Sequence, residues 1–201
     1  DTISYYVASF QSKNDISIGQ VLRRLPGITV SDAGQISYKG QPIKNFYIEG
    51  LDLMKGRYGI ATNNIDPNSI STIEVLENHQ DIKALKDLKP EERASINLKL
   101  KSGVKGVFNL IATLGGGYVD KLLWDNELIT TYFQRNSQLL ATYKGNNSGT
   151  DLESELRSHT DYDYSRTSTI SDIAMPATPG INKRYYYFNQ SHSATYNQVF
   201  R

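Results

Sequence analysis

Side chains spaced so that they could act together in acid–base or metal chemistry are rare in this chain. The three histidines, His79, His159 and His192, are far apart and lack the spacing of zinc ligands, because a zinc site needs three or four converging donors. Asp161 and Asp163 form a carboxylate pair of the kind that could serve hydrolysis. They lie in a polar stretch rich in Ser, Thr and Tyr, and that composition favours a solvated loop. The sequence therefore predicts no metal site and no catalytic carboxylates.

A glycine triplet at 115–117 is the nearest approach to a nucleotide-binding motif. The stretch GGGYVDK lacks the spacing of a phosphate-binding loop and the Lys-Ser/Thr pair that ends it. Glycines in this setting predict a tight bend at the end of a strand. Since no other catalytic pattern is present, we predict that the chain is not an enzyme and binds no cofactor.

One segment, LDLMKGRYGIATNN (51–64), has residue types suited to binding a ligand. Gly56 and Gly59 permit backbone conformations that other residues resist. Between them, Arg57 offers a planar fork of donors and Tyr58 an aromatic face, a combination suited to sugars, peptides or anionic chelates. Two asparagines that follow add donors and acceptors. The candidate ligand-binding residues are Arg57, Tyr58, Asn63 and Asn64.

The bulk composition narrows the class of protein. A formal net charge of +1 over 201 residues gives no reason to expect nucleic acid, whose partners usually carry a concentrated basic face. The 14 tyrosines outnumber 6 phenylalanines and one tryptophan, and tyrosine suits a surface that is apolar on one side and wet on the other. With no cysteine, the chain forms neither disulfides nor thiolate metal sites. No run approaches the roughly 18 apolar residues of a membrane helix.

Residues 1 to about 101 predict a mixture of short helices and strands that position the binding segment. Asp15 is the predicted N-cap of a helix whose apolar residues recur at helical spacing, and Pro26-Gly27 ends it. The segment that follows, to residue 49, has the spacing of successive hairpins, and 51–64 is predicted as a loop.

The rest of this half alternates helix and strand signals. Asp66-Pro67 begins a second helix. STIEVLEN (71–78) and ASINLKLK (94–101) predict strands, and DIKALKDL (81–88) a short helix. Together these elements predict a small sheet flanked by helices.

The second half changes to strands of about ten residues with one apolar and one polar face. Phe108, Leu110 and Leu114 share one side of the first such segment, and three more segments repeat the pattern with an aromatic residue near an end. This is the pattern of a membrane β-barrel, in which short turns alternate with long loops. The tight turn QRNSQ and the long polar stretch after YKGN fit that alternation. A soluble β-sandwich with one long loop fits the pattern equally well.

Four motifs in the first half resemble the plug of TonB-dependent outer-membrane transporters, in matching order and spacing. They are SIGQVLRRLPGITV, GQISYKGQPIKNFYIEG, DPNSISTIEVLEN and RASINLKLK. The segments DTISYYVASF, GRYGIATNNI and ENHQDIKAL further resemble a Bacteroides-type subgroup of that family. The general family shows V-R-G-P/A where this chain has LENHQ at 76–80, so contacts between plug and barrel wall are not transferred to that stretch.

The resemblance implies an α+β plug domain, with a small mixed sheet and short helices, followed by antiparallel transmembrane β-barrel strands. We predict the plug over residues 1–101 and the first barrel strands over 102–201, with an extracellular loop at about 147–184. The implied wall has about twenty-two strands, and four cannot close, since the smallest membrane barrels need about eight. The chain is therefore predicted to be a fragment with an incomplete barrel. The plug's structural turns are predicted at Gly27, Gly40, Gly50, Gly56 and Gly59.

The implied function is TonB-dependent nutrient uptake across the cell outer membrane, in which the plug gates the barrel lumen and outward-facing loops contact the substrate. The implied partners are TonB, with its contact segment predicted upstream of Asp1, the chain's own downstream barrel, outer-membrane lipid and a surface lipoprotein lid; nucleic acid is not among them. Two alternatives stay open: a soluble or surface glycan-binding β-module, and an outer-membrane barrel without TonB coupling. For the binding segment, the alternative is a structural loop whose Arg57 pairs with a wall carboxylate.

Overall fold

In the computed structural model, β-strands are the main secondary structure of the described residues. Two α-helices and eleven strands are formed within the part of the chain that the structure describes. The described residues are 2–77, 93–118, 120–134, 136–159 and 189–201.

Some predicted features lie outside these ranges. The helix predicted at 81–88, His79 and the Asp161/Asp163 pair are among them.

The N-terminal unit, Thr2–Leu100, contains two sheets. A four-stranded sheet has the order β1-β6-β7-β5, in which β5 and β7 are parallel and the other neighbours antiparallel. A second sheet has the order β2-β3-β4. The strands are β1 Thr2–Tyr6, β2 Ile28–Val30, β3 Ile36–Tyr38, β4 Gln41–Pro42, β5 Phe46–Ile48, β6 Ile70–Leu76 and β7 Ser95–Leu100.

The predicted run of successive hairpins is correct only in part. β2, β3 and β4 do form consecutive antiparallel pairs. β5 leaves that sheet and joins β7 in parallel, with Phe46 opposite Ile96 and Ile48 opposite Leu98. The reason is burial, since Phe46 and Ile48 are both fully buried between the sheet and the helices, and local spacing cannot indicate a partner that lies some fifty residues ahead.

The core of the N-terminal unit is closed by helices α1, Ile18–Leu22, and α2, Tyr58–Asn64. The helices approach closely at Gly19, where an added Cβ would lie 2.9 Å from the Thr62 side chain. Apolar side chains of β6 and β7 face them from the sheet, as the alternation in STIEVLEN and ASINLKLK predicts. The largest fully buried side chains include Ile18, Leu22, Ile36, Phe46, Met54, Ile60, Ile70, Ile73 and Ile96.

The prediction of Asp15 as the N-cap of the first helix is wrong. The N-cap is Ser17, which makes no side-chain capping bond. Asp15 instead accepts two hydrogen bonds from the Arg24 guanidinium, at 2.6 and 2.7 Å, and one from the Ser12 amide. This bidentate pair lowers the pKa of the Asp15 carboxyl and raises the pKa of Arg24. The carboxylate thus joins the two ends of the α1 segment.

The prediction of 51–64 as a loop is also wrong in its second half, which forms α2. A glycine and two asparagines make this a weak helix former by intrinsic propensity. Ile60, Ala61 and Ile65 are nevertheless buried in the core, and burial of this apolar face stabilises the helix more than propensity opposes it. The second helix start, predicted at Asp66-Pro67, is confirmed as a 3-10 turn, Pro67–Ser69, in which the Asp66 side chain accepts from the Asn68 amide.

The C-terminal sheet is a four-stranded antiparallel meander in the order β11-β10-β9-β8. One of its faces covers the N-terminal unit, and Phe133, Gln138 and Leu140 are buried there. On the opposite face Phe108, Leu110 and other large apolar side chains are exposed. This confirms the predicted alternation. The strands are β8 Phe108–Tyr118, β9 Leu122–Phe133, β10 Ser137–Asn146 and β11 Ser191–Phe200.

The sequence predicts a tight turn, a bend and a long extracellular loop in this sheet; most of the loop, at about 147–184, lies outside the described residues and stays a prediction. The tight β9–β10 turn is confirmed by paired backbone hydrogen bonds between Gln134 and Ser137. The bend predicted at the glycine triplet is wrong: Gly115, Gly116 and Gly117 continue β8 and pair with Asp125, Trp124 and Leu123. At Gly115 an added Cβ would lie 3.2 Å from the Asp125 backbone oxygen. Gly115 therefore permits close strand approach, whereas an added Cβ at Gly116 or Gly117 would meet nothing within 4 Å.

The described part of the chain contains no helix that is both long and apolar enough to cross a membrane.

Candidate functional site

The four candidate ligand-binding residues lie where α2 meets the C-terminal sheet, and they differ sharply in exposure. Arg57, the residue before α2, is exposed, and its Nη2 donates to Asn197 Oδ1 of β11 at 3.4 Å. Among the described residues, its hydrogen-bond partner is thus an amide of the sheet.

Tyr58 is buried, with 2% of its surface exposed. Its ring packs against Phe46 and His159, with centroids 6.0 and 5.0 Å apart. The hydroxyl lies 3.1 Å from Asp52 Oδ2 and 3.2 Å from the Lys44 backbone oxygen. Burial, and after it the nearby Asp52 carboxylate, raises the pKa of the Tyr58 phenol. Tyr58 therefore holds the N-terminus of α2 in place as a neutral donor.

The two asparagines at the end of α2 contact one carboxylate, Glu155, which the sequence did not indicate. Asn63 Nδ2 and Asn64 Nδ2 each lie 3.3 Å from a Glu155 oxygen. Glu155 also accepts from Lys144 Nζ at 3.0 Å, and Lys144 in turn lies 2.7 Å from Glu127 Oε1. Since Lys144 and Glu127 are on β10 and β9, this chain of contacts joins α2 to the sheet.

Glu155 belongs to the first part of the β10–β11 connection, residues 147–159, which lies across α2. An added Cβ at Gly59 would lie 3.0 Å from the Glu155 backbone oxygen and 2.3 Å from the Ala33 backbone oxygen. The backbones of three separate segments thus meet at Gly59, and only glycine fits there. Gly59 lies inside α2, so its predicted role as a turn residue is wrong.

The other glycines predicted at turns all have positive φ. The values are 75° for Gly27, 80° for Gly40, 81° for Gly50 and 96° for Gly56. At Gly56 the backbone oxygen also accepts from the His159 amide at 2.9 Å.

His159 is the buried residue that ends the described part of this connection, with 7% of its surface exposed. Its Nε2 accepts a hydrogen bond from the Ile36 amide of β3 at 2.9 Å, so the ring is neutral and carries its proton on Nδ1. Nδ1 is buried without a hydrogen-bond partner among the described residues. Burial lowers the pKa of His159 from 6.5 to about 4. Sequence reasoning treated His159 as isolated, because no spacing rule indicates a partner more than a hundred residues away.

A cavity of about 280 Å³ lies beside Tyr58 and His159. Its charged lining residues are Lys44, Asp52, Lys55 and Arg93. Within the described ranges no three His, Cys, Asp or Glu side chains are grouped as a metal ion would require.

The exposed face of the C-terminal sheet has aromatic side chains at both ends. At one end the Phe108 and Tyr132 rings stack with centroids 4.5 Å apart. At the other, Trp124 and Tyr143 flank His192, whose Nδ1 lies 2.8 Å from the Tyr143 hydroxyl. Trp124 and Tyr132 are about 26 Å apart along β9 at roughly 3.3 Å per residue. For a strand tilted by about 40°, this gives a height of roughly 20 Å, close to the apolar band of about 25 Å between the aromatic girdles of outer-membrane barrels.

Comparison with known families identifies the N-terminal unit. Residues 4–83 match the family model described as TonB-dependent Receptor Plug Domain. The segment belongs to the TonB-dependent receptor plug family. The predicted α+β plug followed by antiparallel strands is confirmed, and we refer to the N-terminal unit below as the plug. Proteins of this family are outer-membrane receptors, and the chain is accordingly assigned to the cell outer membrane.

Solved structures similar to the chain include three outer-membrane proteins. The alcaligin outer-membrane receptor FauA from Bordetella pertussis is 14% identical, with 73% of this chain and 32% of that chain covered and a TM-score of 0.39. The ferric citrate transporter FecA in its unliganded form is 11% identical, with 82% of this chain and 33% of that chain covered and a TM-score of 0.39. The copper transporter OprC is 16% identical, with 72% of this chain and 23% of that chain covered and a TM-score of 0.36. No curated protein matches the chain.

The chain spans about a quarter to a third of the length of these solved proteins. The family assignment rests on the plug-domain match, which does not extend to the Bacteroides-type subgroup. That subgroup, and the division at residue 101, stay predictions.

Proposed function

We propose that the chain is part of a TonB-dependent transporter that takes up a nutrient through the outer membrane, with the plug gating the lumen of a β-barrel. One observation carries the proposal. The plug packs on the polar face of an antiparallel sheet whose opposite face is apolar and ends in aromatic residues on both sides. Such a face is unfavourable in a soluble glycan-binding module, because a large exposed apolar patch on a soluble domain promotes aggregation.

The contacts between plug and sheet combine a small apolar cluster, at Phe133 and Leu140, with several polar contacts that suit a gate that has to move. Gln138 Nε2 donates to the Ile48 backbone oxygen at 2.7 Å, and Lys105 Nζ lies 3.1 Å from Glu49 Oε1. Hydrogen bonds and ion pairs of this kind can be exchanged for water at a small net free-energy cost. A plug held by a continuous apolar interface would resist such a movement far more strongly.

Within the candidate site, we assign the substrate contact to Arg57 and a positioning role to the other three residues. Arg57 is exposed at the junction between plug and sheet and has an amide partner, Asn197, that a substrate group can replace. Its guanidinium suits a carboxylate or another planar anionic group. Tyr58 and Asn64 are buried, so they act by holding α2 and thereby Arg57.

The test is uptake by the full-length protein with Arg57→Ala, Arg57→Lys and, as an exposed plug cation outside the site, Lys13→Ala. A growth screen of the deletion strain first identifies the nutrient. We expect Arg57→Ala to raise the nutrient concentration needed for half-maximal uptake about tenfold or more, equivalent to the loss of one charge-assisted hydrogen bond of roughly 1.5–3 kcal/mol. Arg57→Lys should be intermediate and Lys13→Ala unchanged.

Two controls separate the parts of this proposal. Heat-modifiable electrophoretic migration shows whether each variant has assembled a barrel. Uptake that persists in a strain without TonB would contradict energy coupling, and normal uptake by an assembled Arg57→Ala variant would remove Arg57 from the site.

A further inference from the structure

We propose that residues 147–159 form a latch that fastens the plug to the C-terminal sheet from the end where β10 stops, and that protonation of His159 releases it. This goes beyond the proposed function, because it concerns a conformational switch and requires no particular substrate. It rests on three sets of contacts among described residues, at the base, the middle and the end of the latch.

The base of the latch is fixed to the sheet. Asn146 Oδ1, at the end of β10, accepts from the Thr150 amide at 3.2 Å and from Asn189 Nδ2 at 2.9 Å. Asn189 Nδ2 also lies 3.0 Å from the Thr150 backbone oxygen. The two ends of the connection are thereby held together, so the segment can swing about this point without detaching from the strands.

The middle of the latch is held by charge. Glu155 lies between Lys144 of β10 and the two asparagine amides of α2. Its carboxylate therefore holds the sheet and the plug at once.

The end of the latch is inserted into the plug. His159 donates its backbone amide to the Gly56 oxygen and accepts the Ile36 amide on Nε2. Only a neutral imidazole can accept that bond, since both ring nitrogens of an imidazolium are donors. Protonation would turn the Ile36 contact into two opposed N–H groups in a buried place.

The groups that face His159 also disfavour an imidazolium. Tyr58, from α2, packs on the ring and is neutral, and β2 and β3 contribute only uncharged side chains to the cavity beside it. In the cavity on the other side, the cations Lys44, Lys55 and Arg93 outnumber the single anion, Asp52. Glu155 and Arg157 are the charged residues of the latch that lie nearest to His159 along the chain, and Glu155 is engaged with Lys144.

The sign of the pH dependence follows from the burial of His159. In a released segment, an exposed His159 would titrate with a pKa near 6.5, whereas in the closed latch its pKa is about 4. The neutral ring therefore stabilises the closed latch fully above pH 6.5, and this stabilisation is lost as the pH falls towards 4. Between these values the ratio of closed to released latch falls by about tenfold per pH unit.

The experiment measures the distance between the latch and the plug by pulsed electron spin resonance in the full-length protein. The 201 residues contain no cysteine, so spin labels are attached at Glu153→Cys and Lys13→Cys after any cysteine elsewhere is replaced; both positions are exposed. We expect one distance at pH 7.5 and a second, longer one whose population rises about tenfold per unit below pH 6.5.

Two histidine variants make the result decisive. His159→Gln keeps an acceptor for the Ile36 amide but does not titrate, so its distances should not change with pH, whether the latch is closed or already released. His192→Gln, at the exposed face of the sheet, should shift with pH as the parent does. Three results would overturn the proposal. The parent protein could show the same distances from pH 7.5 to 4.5, the acid shift could persist in His159→Gln, or the acid shift could be lost in His192→Gln. None of these readouts involves uptake, so such a failure would leave the proposed transport function untouched.

Discussion

At the scale of single residues, Gly59 carries the tightest constraint around the candidate site. Its α-carbon lies where α2, the turn before β3 and the latch meet backbone to backbone. The sequence indicated a glycine with conformational freedom, but Gly59 has ordinary helical geometry and a negative φ. What the position requires is the absence of a side chain.

We therefore expect Gly59→Ala to loosen α2 and the latch. A methyl group 2.3 Å from the Ala33 oxygen forces two backbones apart, an overpacking that costs about 2–3 kcal/mol. Hydrogen exchange of the α2 amides in the full-length protein should accelerate by roughly thirty- to a hundredfold. Gly103→Ala, where an added Cβ meets nothing within 4 Å, is the control and should leave exchange unchanged. Equal exchange in both variants would show that the three segments do not meet as described.

At the scale of secondary-structure elements, the alternation along β8 decides which residues face lipid and which face the lumen. Ala112 lies on the apolar face, opposite Leu128, and Thr113 on the polar face, opposite Glu127. A shift of one residue in register would exchange the two faces completely. The pairing of β8 with β9 is thus a structural result with a direct experimental consequence.

An arginine should prevent folding at one of these two adjacent positions and be tolerated at the other. Ala112→Arg places a charge near the middle of the apolar band, which costs about 2–4 kcal/mol in an outer-membrane strand. Thr113→Arg places the same side chain beside the Glu127 carboxylate. In outer-membrane preparations of the full-length protein, we expect less heat-modifiable, folded protein for Ala112→Arg and parental amounts for Thr113→Arg. The reverse order would mean that the face assigned to lipid lines the lumen.

At the scale of the whole molecule, a few buried polar groups couple the plug, the latch and the sheet. Lys144 is central, because it lies between Glu127 of β9 and Glu155 of the latch and all three are largely buried. Removing the ammonium leaves two carboxylates facing each other across a space of low dielectric, which is costly. The contact between Glu155 and the sheet therefore depends on the charge of Lys144.

We expect Lys144→Met to release the latch at neutral pH, at a cost of about 1–3 kcal/mol to the closed state. Arg157 lies in the latch and its side chain is exposed, so limited trypsin digestion of the full-length protein reports the opening. Cleavage after Arg157 should be at least several times faster in Lys144→Met, and Lys144→Arg, which keeps the charge, should behave as the parent. Parental cleavage in Lys144→Met would mean that the Glu155 contact does not hold the latch.

The sequence by itself determined the features that depend on neighbours along the chain. Local rules predict the period-two alternation of β6, β7 and β8–β11, the turn after Phe133 and the helix start at Asp66-Pro67. The order of the motifs indicated the plug. The same local rules failed where distant residues decide. Residues 58–64 form a helix because their apolar side chains are buried. Asp15 pairs with Arg24 and does not cap α1, and β5 pairs with β7 and not with β4.

The candidate site shows the same division. Residue types indicated Arg57 and Tyr58, but only the tertiary structure separated the exposed guanidinium from the buried phenol. It also brought Glu155 and His159 onto α2 from about a hundred residues away, which no spacing along the chain predicts. The physical reason is that hydrogen bonding and burial depend on distance in space, whereas a sequence pattern reports only the distance along the chain.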